Sequence, residues 1–165
     1  MAAYNDFITH NASGVKADVD RGVRVNGGVV RQIPFSFEKA ADDIDASVWR
    51  VGRISPYAII RSVVFACDAI ASLTEIDIGF YKPKETGGDA IDKDCLKDGL
   101  DPHAGIAALT EEYVPDPANV GKEAYLIAGL TAAEAIKYGA FDIAITGNTA
   151  GTDIGSISGI IEYID

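Results

Sequence analysis

SVWRVGRISPYAIIRSVVFACDA, Ser47–Ala69, sets two runs of apolar and β-branched residues on either side of one proline. In Ser47–Ile54, Trp49 and Val51 share a face, and Gly52 inside the run marks a bulge. Ser55-Pro56 supplies the turn, because proline's fixed φ suits its second position. Tyr57–Cys67 is apolar on both sides: Tyr57, Ile59, Val63 and Phe65 fall on one, Ala58, Ile60, Val64 and Ala66 on the other. A strand of that kind is central in its fold or covered by another subunit. The stretch is expected to form two adjacent strands. Its three arginines, Arg50, Arg53 and Arg61, either pair with the chain's own acids or face a partner.

The pattern on both sides of this stretch is also β. Val29, Ile33, Phe35 and Phe37 alternate along one strand, and Pro34, which cannot donate to a ladder, suggests an edge position. Thr74–Tyr81 alternates with Ile76, Ile78 and Phe80 inward and Glu75, Asp77 and Tyr81 outward. Phe141, Ile143 and Ile145 mark a further strand. Asn148–Gly155 reads as a glycine-rich turn, and Ser156–Ile164 closes the chain as a strand. Between these groups the period changes. Asp101-Pro102 and Asp116-Pro117 look like helix N-caps followed by Pro, and Thr131-Ala-Ala-Glu134 is a capping-box sequence with Gly139 as its stop. The expectation is therefore about six main strands without a βαβ rhythm: a mainly β, antiparallel β-sandwich or jelly roll, with a short helical excursion over about residues 101–138. Residues 28–165 form the sandwich domain. Residues 1–27 are polar and aperiodic, an N-terminal arm with a short strand near Val23–Val25 at most.

Composition narrows the function. The net charge is −11, with 25 acids against 14 bases and no basic run. Nucleic acids and anionic membrane surfaces, which are recognised by clustered Lys and Arg, are not expected partners. MAAYNDFITH lacks the charged and apolar regions of a signal peptide, and no apolar run approaches the ~20 residues of a membrane span. Two cysteines, Cys67 and Cys95, make no disulfide framework.

The chemistry-bearing patterns are equally sparse. His10 and His103 have no partner at metal-ligand spacing. Asp92–Asp101, DKDCLKDGLD, fails the EF-hand template from either start and reads as a solvated acidic loop, with an irregular calcium loop as the alternative. Glu75 and Asp77 read as exposed-face acids. No nucleophile elbow or phosphate-binding loop exists in Gly147–Gly159. No enzyme activity and no cofactor are expected.

VWRVGRISPYAIIRSVVFACDA followed by TEIDIGFYKP is similar to a stretch found in small structural proteins of tailed bacteriophages, the capsid decoration (cement) proteins. DKDCLKDGLD, AYLIAGLT, FDIAITGNTAGT and SGIIEYID also resemble that family. The resemblance covers about residues 28–165. It implies a jelly roll or sandwich whose subunits, as homo-oligomers, bind the major capsid protein on the outside of the shell. Such a protein is made in the host bacterial cytoplasm, where heads assemble, and works without catalytic residues. Dimers and trimers are both compatible with it. The candidate contacts are Arg31, Trp49, Arg50, Arg53 and Arg61, together with the arm. Alternatives are a head fibre base, a tail component, or a carbohydrate-binding sandwich using Trp49, Tyr57, Tyr81 and Tyr163 as its aromatic platform.

Overall fold

The computed structural model describes residues 29–165. The arm over 1–27, its strand near Val23–Val25 and His10 lie outside the described residues. Eight strands follow in chain order: β1 (Val30–Lys39), β2 (Ser47–Ile54), β3 (Ile59–Cys67), β4 (Leu73–Tyr81), β5 (Ala90–Leu100), β6 (Ile106–Tyr113), β7 (Phe141–Ala150) and β8 (Gly155–Ile164). Two helices, α1 (Ala124–Ile127) and α2 (Ala132–Tyr138), separate β6 from β7, and one 3₁₀ turn spans Lys84–Thr86.

The strands form two four-stranded sheets. Sheet A has the order β1-β8-β3-β6, and sheet B the order β2-β7-β4-β5. Every pairing is antiparallel, and β1 pairs β8, β2 pairs β7, β3 pairs β6 and β4 pairs β5. This is a jelly roll: the chain doubles back between β4 and β5, and the resulting ribbon wraps into a sandwich. Ile76, Ile78, Phe80, Phe141, Ile143 and Ile145 of sheet B pack against Ile60, Val63, Phe65, Ile157 and Ile161 of sheet A, all at most 1% exposed.

The two halves of Ser47–Ala69 do not pair. Ser55-Pro56 carries the chain from sheet B into sheet A, so β2 and β3 lie on opposite layers. The double apolarity of β3 also has a different origin from the one expected. Ile60 pairs with Tyr163 and Ser62 with Glu162, which leaves Arg61 as the extra residue of a bulge. The bulge exchanges the faces: Ala58 and Ile60 before it and Val63, Phe65 and Cys67 after it all join the core. The expected bulge at Gly52 is present between Arg50 and Gly52, and Pro34 sits on β1, an edge of sheet A.

Two strands replace expected loop and helix. Asp92–Asp101 is largely β5 rather than a solvated loop, and β6 occupies the first part of the expected helical excursion. Asp101-Pro102 opens a turn in which the Asp101 carboxylate accepts from the His103 N–H at 2.9 Å and Gly105 takes a φ of 76°. Asp116 likewise caps a turn, accepting from the Asn119 N–H at 2.8 Å. Helix proper is confined to 124–138. There the Ala124 and Tyr125 N–H groups donate to Ala58 O and Pro56 O, which ties α1 to the β2–β3 turn. Thr131 and Glu134 form the expected capping box at the start of α2, and Gly139 ends it with a φ of 72°.

Lys39 at the end of β1 is fully buried at 0% exposure. Its ammonium donates to the carbonyls of Ala40, Gly151 and Asp153 at 3.1, 2.6 and 3.0 Å. Three donors meet three acceptors, and the β7–β8 turn is thereby clamped to the edge of sheet A.

Candidate partner-binding surface

The candidate contact residues divide between the layers. Arg50 and Arg53 stand on β2, the edge strand of sheet B, and converge on Asp142 of the neighbouring β7. The Asp142 side chain is 4% exposed. It accepts from Arg53 Nε at 2.6 Å and Nη2 at 3.2 Å, and Arg50 Nε approaches it at 3.2 Å. Arg53 also forks onto Glu85 of the 3₁₀ turn at 2.9 and 3.3 Å. The Asp142 and Glu85 carboxylates hold the Arg53 guanidinium above its ordinary pKa, and the same contact lowers that of Glu85. Arg50 reaches further, donating to Gly88 O at 2.7 Å and lying 5.7 Å from the centre of the Tyr81 ring. Tyr81 in turn hydrogen-bonds Thr146. Internal pairing thus fixes the direction of both guanidinium groups.

Trp49, on the same strand, is half-buried. Its indole N–H donates to Asp43 at 3.2 Å, and its ring stacks on Phe37 with centroids 5.5 Å apart. Between these edges of the two sheets runs a groove of about 450 Å³, lined by Pro34–Phe37 and Trp49–Val51. A second hollow of about 440 Å³ adjoins it at Arg50–Arg53, Lys84, Glu85 and Asp142. The open side of the sandwich therefore combines apolar floor, an aromatic edge and a guanidinium pair held in place by acids. Such a mixture suits a protein partner, since Arg and aromatics are enriched at interfaces. Arg31 stands apart on β1, 3.7 Å from Asp165. Arg61 lies on the outer side of sheet A, exposed and with no ion pair among the described residues.

The far side of sheet B holds a buried polar network that the alternation did not reveal. Asp77 and Tyr81 do point away from the core, but they are only 1% and 5% exposed. Asp77 accepts from Lys93 Nζ at 2.8 Å, from the Gly99 N–H at 3.0 Å and from the Asn148 amide. Burial alone would raise its pKa; these three donors outweigh burial and lower it. They come from β5 and β7, so Asp77 fastens the edge strand β5 to sheet B. Carboxylate oxygens of Asp94 and Asp98 come within 4.8 Å of Asp77. That all-oxygen set is of the kind hard cations take, but Asp77 is already engaged by an ammonium, an amide and a backbone N–H. The aromatic platform of the carbohydrate reading is dispersed: Tyr81 is buried, Trp49 stacks on Phe37, and Tyr57 meets Tyr125 edge-on at 5.6 Å.

Comparison with known proteins places the fold. No protein-family model matches this chain, and none of the curated proteins matches it. Its fold is similar to that of a chain in the capsid asymmetric unit of cyanophage Pam1, with a TM-score of 0.53 at 15% identity, covering 83% of this chain and 85% of that one. It is also similar to a chain in the capsid of Ralstonia phage GP4, with a TM-score of 0.52 at 10% identity and 84% of each chain covered. At these identities the likeness is one of fold. Among the described residues, no helix is long and apolar enough to cross a membrane.

Proposed function

We propose that this protein is a structural component of a phage virion, and that it acts as a decoration protein on the outside of the capsid shell. The observation that carries the reading is the likeness of nearly the whole fold to chains from two phage capsids, which agrees with the resemblance of Ser47–Ala69 and TEIDIGFYKP to decoration proteins. The build of the molecule supports it: a jelly roll clamped by ion pairs to the buried Asp77 and Asp142, with a shallow open side. Its action is thermodynamic. A subunit that binds the expanded shell and not its precursor stabilises the expanded state by mass action, and subunits that bridge neighbouring capsomers gain avidity because each further contact is intramolecular.

The major capsid protein is the partner in this reading, and the contact surface is the open side of the sandwich. Trp49, Arg50 and Arg53 line it, with Arg31 standing apart on β1 and Arg61 on the outer side of sheet A. Co-sedimentation with decoration-free expanded capsids of the same phage, titrated to saturation, tests the role. Saturation at a fixed copy number per capsid subunit supports it, and absence of binding refutes it. Trp49→Ala and the paired change Arg50→Lys with Arg53→Lys test the surface. Lysine keeps Asp142's counter-charge but loses the planar fork. Unchanged occupancy in both variants would move the contact elsewhere.

A further inference from the structure

We propose that Lys93 and Asn148 react with each other across strand β4 to form an isopeptide bond, with Asp77 as the catalytic carboxylate. Three strands bring the groups together. Lys93 Nζ donates to Asn148 Oδ1 at 2.8 Å and to Asp77 Oδ2 at 2.8 Å. The Asn148 amide donates to the same Asp77 oxygen and, at 3.2 Å, to Glu75. An amine, an amide carbonyl and a carboxylate that touches both are the parts of an amide exchange: nucleophile, electrophile and proton carrier. A nitrogen hydrogen-bonded to an amide oxygen at that distance lies within about 4 Å of the amide carbon, close to the roughly 3–3.5 Å of a near-attack geometry.

Backbone irregularities place these side chains. On β7, Gly147 pairs with Ile76 and Thr149 with Glu75, so Asn148 is the unpaired residue of a bulge, a device that re-aims a side chain. On β5, Lys97 pairs with Ile78 and Asp92 with Phe80, which leaves residues 93–96 opposite Gly79 alone. Gly79 admits this crossing: a Cβ there would stand 2.2 Å from Asp92 O and 2.4 Å from the Lys93 carbonyl carbon. Between them β4 supplies Asp77, only 1% exposed. An ion pair between Lys93 and Asp77 would fasten β5 without Asn148; the bulge on β7 adds an amide carbonyl at the ammonium.

The step balances without an oxidant or reductant. The Lys93 ammonium passes one proton to Asp77, and the neutral amine adds to Asn148 Cγ, whose C=O electron pair moves onto Oδ1. Asp77 then protonates Nδ2 and takes a second proton from Nζ. The oxygen's electron pair restores the C=O, the Cγ–Nδ2 bond breaks, and ammonia leaves, carrying off the proton held by Asp77 as ammonium. The Lys93 side chain is 44% exposed, and its contact with Asp77 holds its pKa above the ordinary value. The amine is therefore mostly charged, the reaction takes days, and the freshly folded chain is the unreacted form. The product ties the edge strand β5 to β7 over β4 and closes a covalent loop between positions 55 apart in the chain. It does not depend on the shell reading.

Intact mass spectrometry of the full chain, folded and held at pH 8, is the test, with tryptic mapping of the product. The expected result is the loss of one ammonia and a branched peptide that joins Lys93 to Asn148. Wild-type chain held unfolded in guanidinium chloride keeps its mass. So does Lys93→Arg, which retains a cation for Asp77 but has no amine to acylate. Asp77→Asn slows the reaction about hundredfold or more. An unchanged mass of the folded wild type after weeks at pH 8 overturns the proposal. So does an ammonia loss that maps to a cyclised asparagine without a branched peptide, or one that proceeds at the wild-type rate in Lys93→Arg or Asp77→Asn.

Discussion

Replacing Asp77 by Asn removes one charge and one acceptor from the middle of the network that fastens β5. The Asn side chain keeps an oxygen for the Gly99 N–H. It presents an amide where Lys93 Nζ and the Asn148 amide now donate. A hydrogen bond to a buried charged group contributes about 1.5–3 kcal/mol. The Lys93 side chain is 44% exposed, so its ammonium rehydrates and its share falls below about 1 kcal/mol. With the loss of the Asn148 contact, Asp77→Asn costs about 2 kcal/mol, or about 6 °C in Tm for a chain of this length. Asp77→Ala also strands the Gly99 N–H and costs about 4 kcal/mol. The pH dependence gives an independent check. Because the folded-state pKa of Asp77 is lowered from 3.8, its contribution is complete above the unfolded value and is lost as pH falls through the folded one. The stability gap between wild type and Asp77→Asn is therefore constant from pH 7 down to about pH 5 and closes below about pH 4. Urea titrations at pH 7, 5, 4 and 3 measure it. A gap under about 0.5 kcal/mol at pH 7, or one that persists unchanged at pH 3, would refute the reasoning.

Lys39→Met leaves three turn carbonyls without their donor, and is expected to cost about 2 kcal/mol and to speed amide exchange across Gly151–Ile154, read by hydrogen–deuterium exchange. Thr131→Ala removes the capping box and is expected to destabilise α2 by about 1 kcal/mol, seen as faster exchange at Ala132–Ala135 with the sheets unaffected. Burial pushes the thiols of Cys67 and Cys95 above their ordinary range. Iodoacetamide at pH 8 is therefore expected to label the native protein at least about tenfold more slowly than the urea-unfolded chain; equal rates would contradict the burial.

The strands whose residues alternate cleanly were legible from the sequence, and so were devices with a local mechanism: Pro34 at a sheet edge, the Gly52 bulge, the Thr131–Glu134 box. β5 was not, because its edge position lets Asp92, Lys93, Asp94, Lys97 and Asp98 interrupt the apolar residues. Charges of that kind protect an open sheet edge while imitating a loop. β6 was hidden by IAALTEEY, a composition that favours helix in isolation and becomes a strand only through pairing with β3. The Asp-Pro pairs signalled chain reversals correctly and helices wrongly, since an Asp side chain caps a tight turn as readily as a helix. Of the candidate surface, the arginines were visible but their partners were not. Nothing local tells that Asp142 lies beneath Arg50 and Arg53, or that Asp77 is buried by a strand that begins nine residues after its own strand has ended. That information belongs to the pairing of distant segments.

The pairing of β1 with β8 sets the order of events during synthesis. β8 lies between β1 and β3, so sheet A lacks an interior strand until β8 has left the ribosome, and β1 waits through more than a hundred residues for its neighbour among the described strands. Sheet B can assemble sooner, since β2, β4, β5 and β7 are all available before β8. Long waits of this kind make folding slow and leave unpaired edges exposed. A nascent chain in this state is expected to engage holdase chaperones. Trimming the last ten residues would leave a half-built roll unable to close, whereas an extension after Asp165, which is exposed beside the Arg31 side chain, would leave the roll free to form.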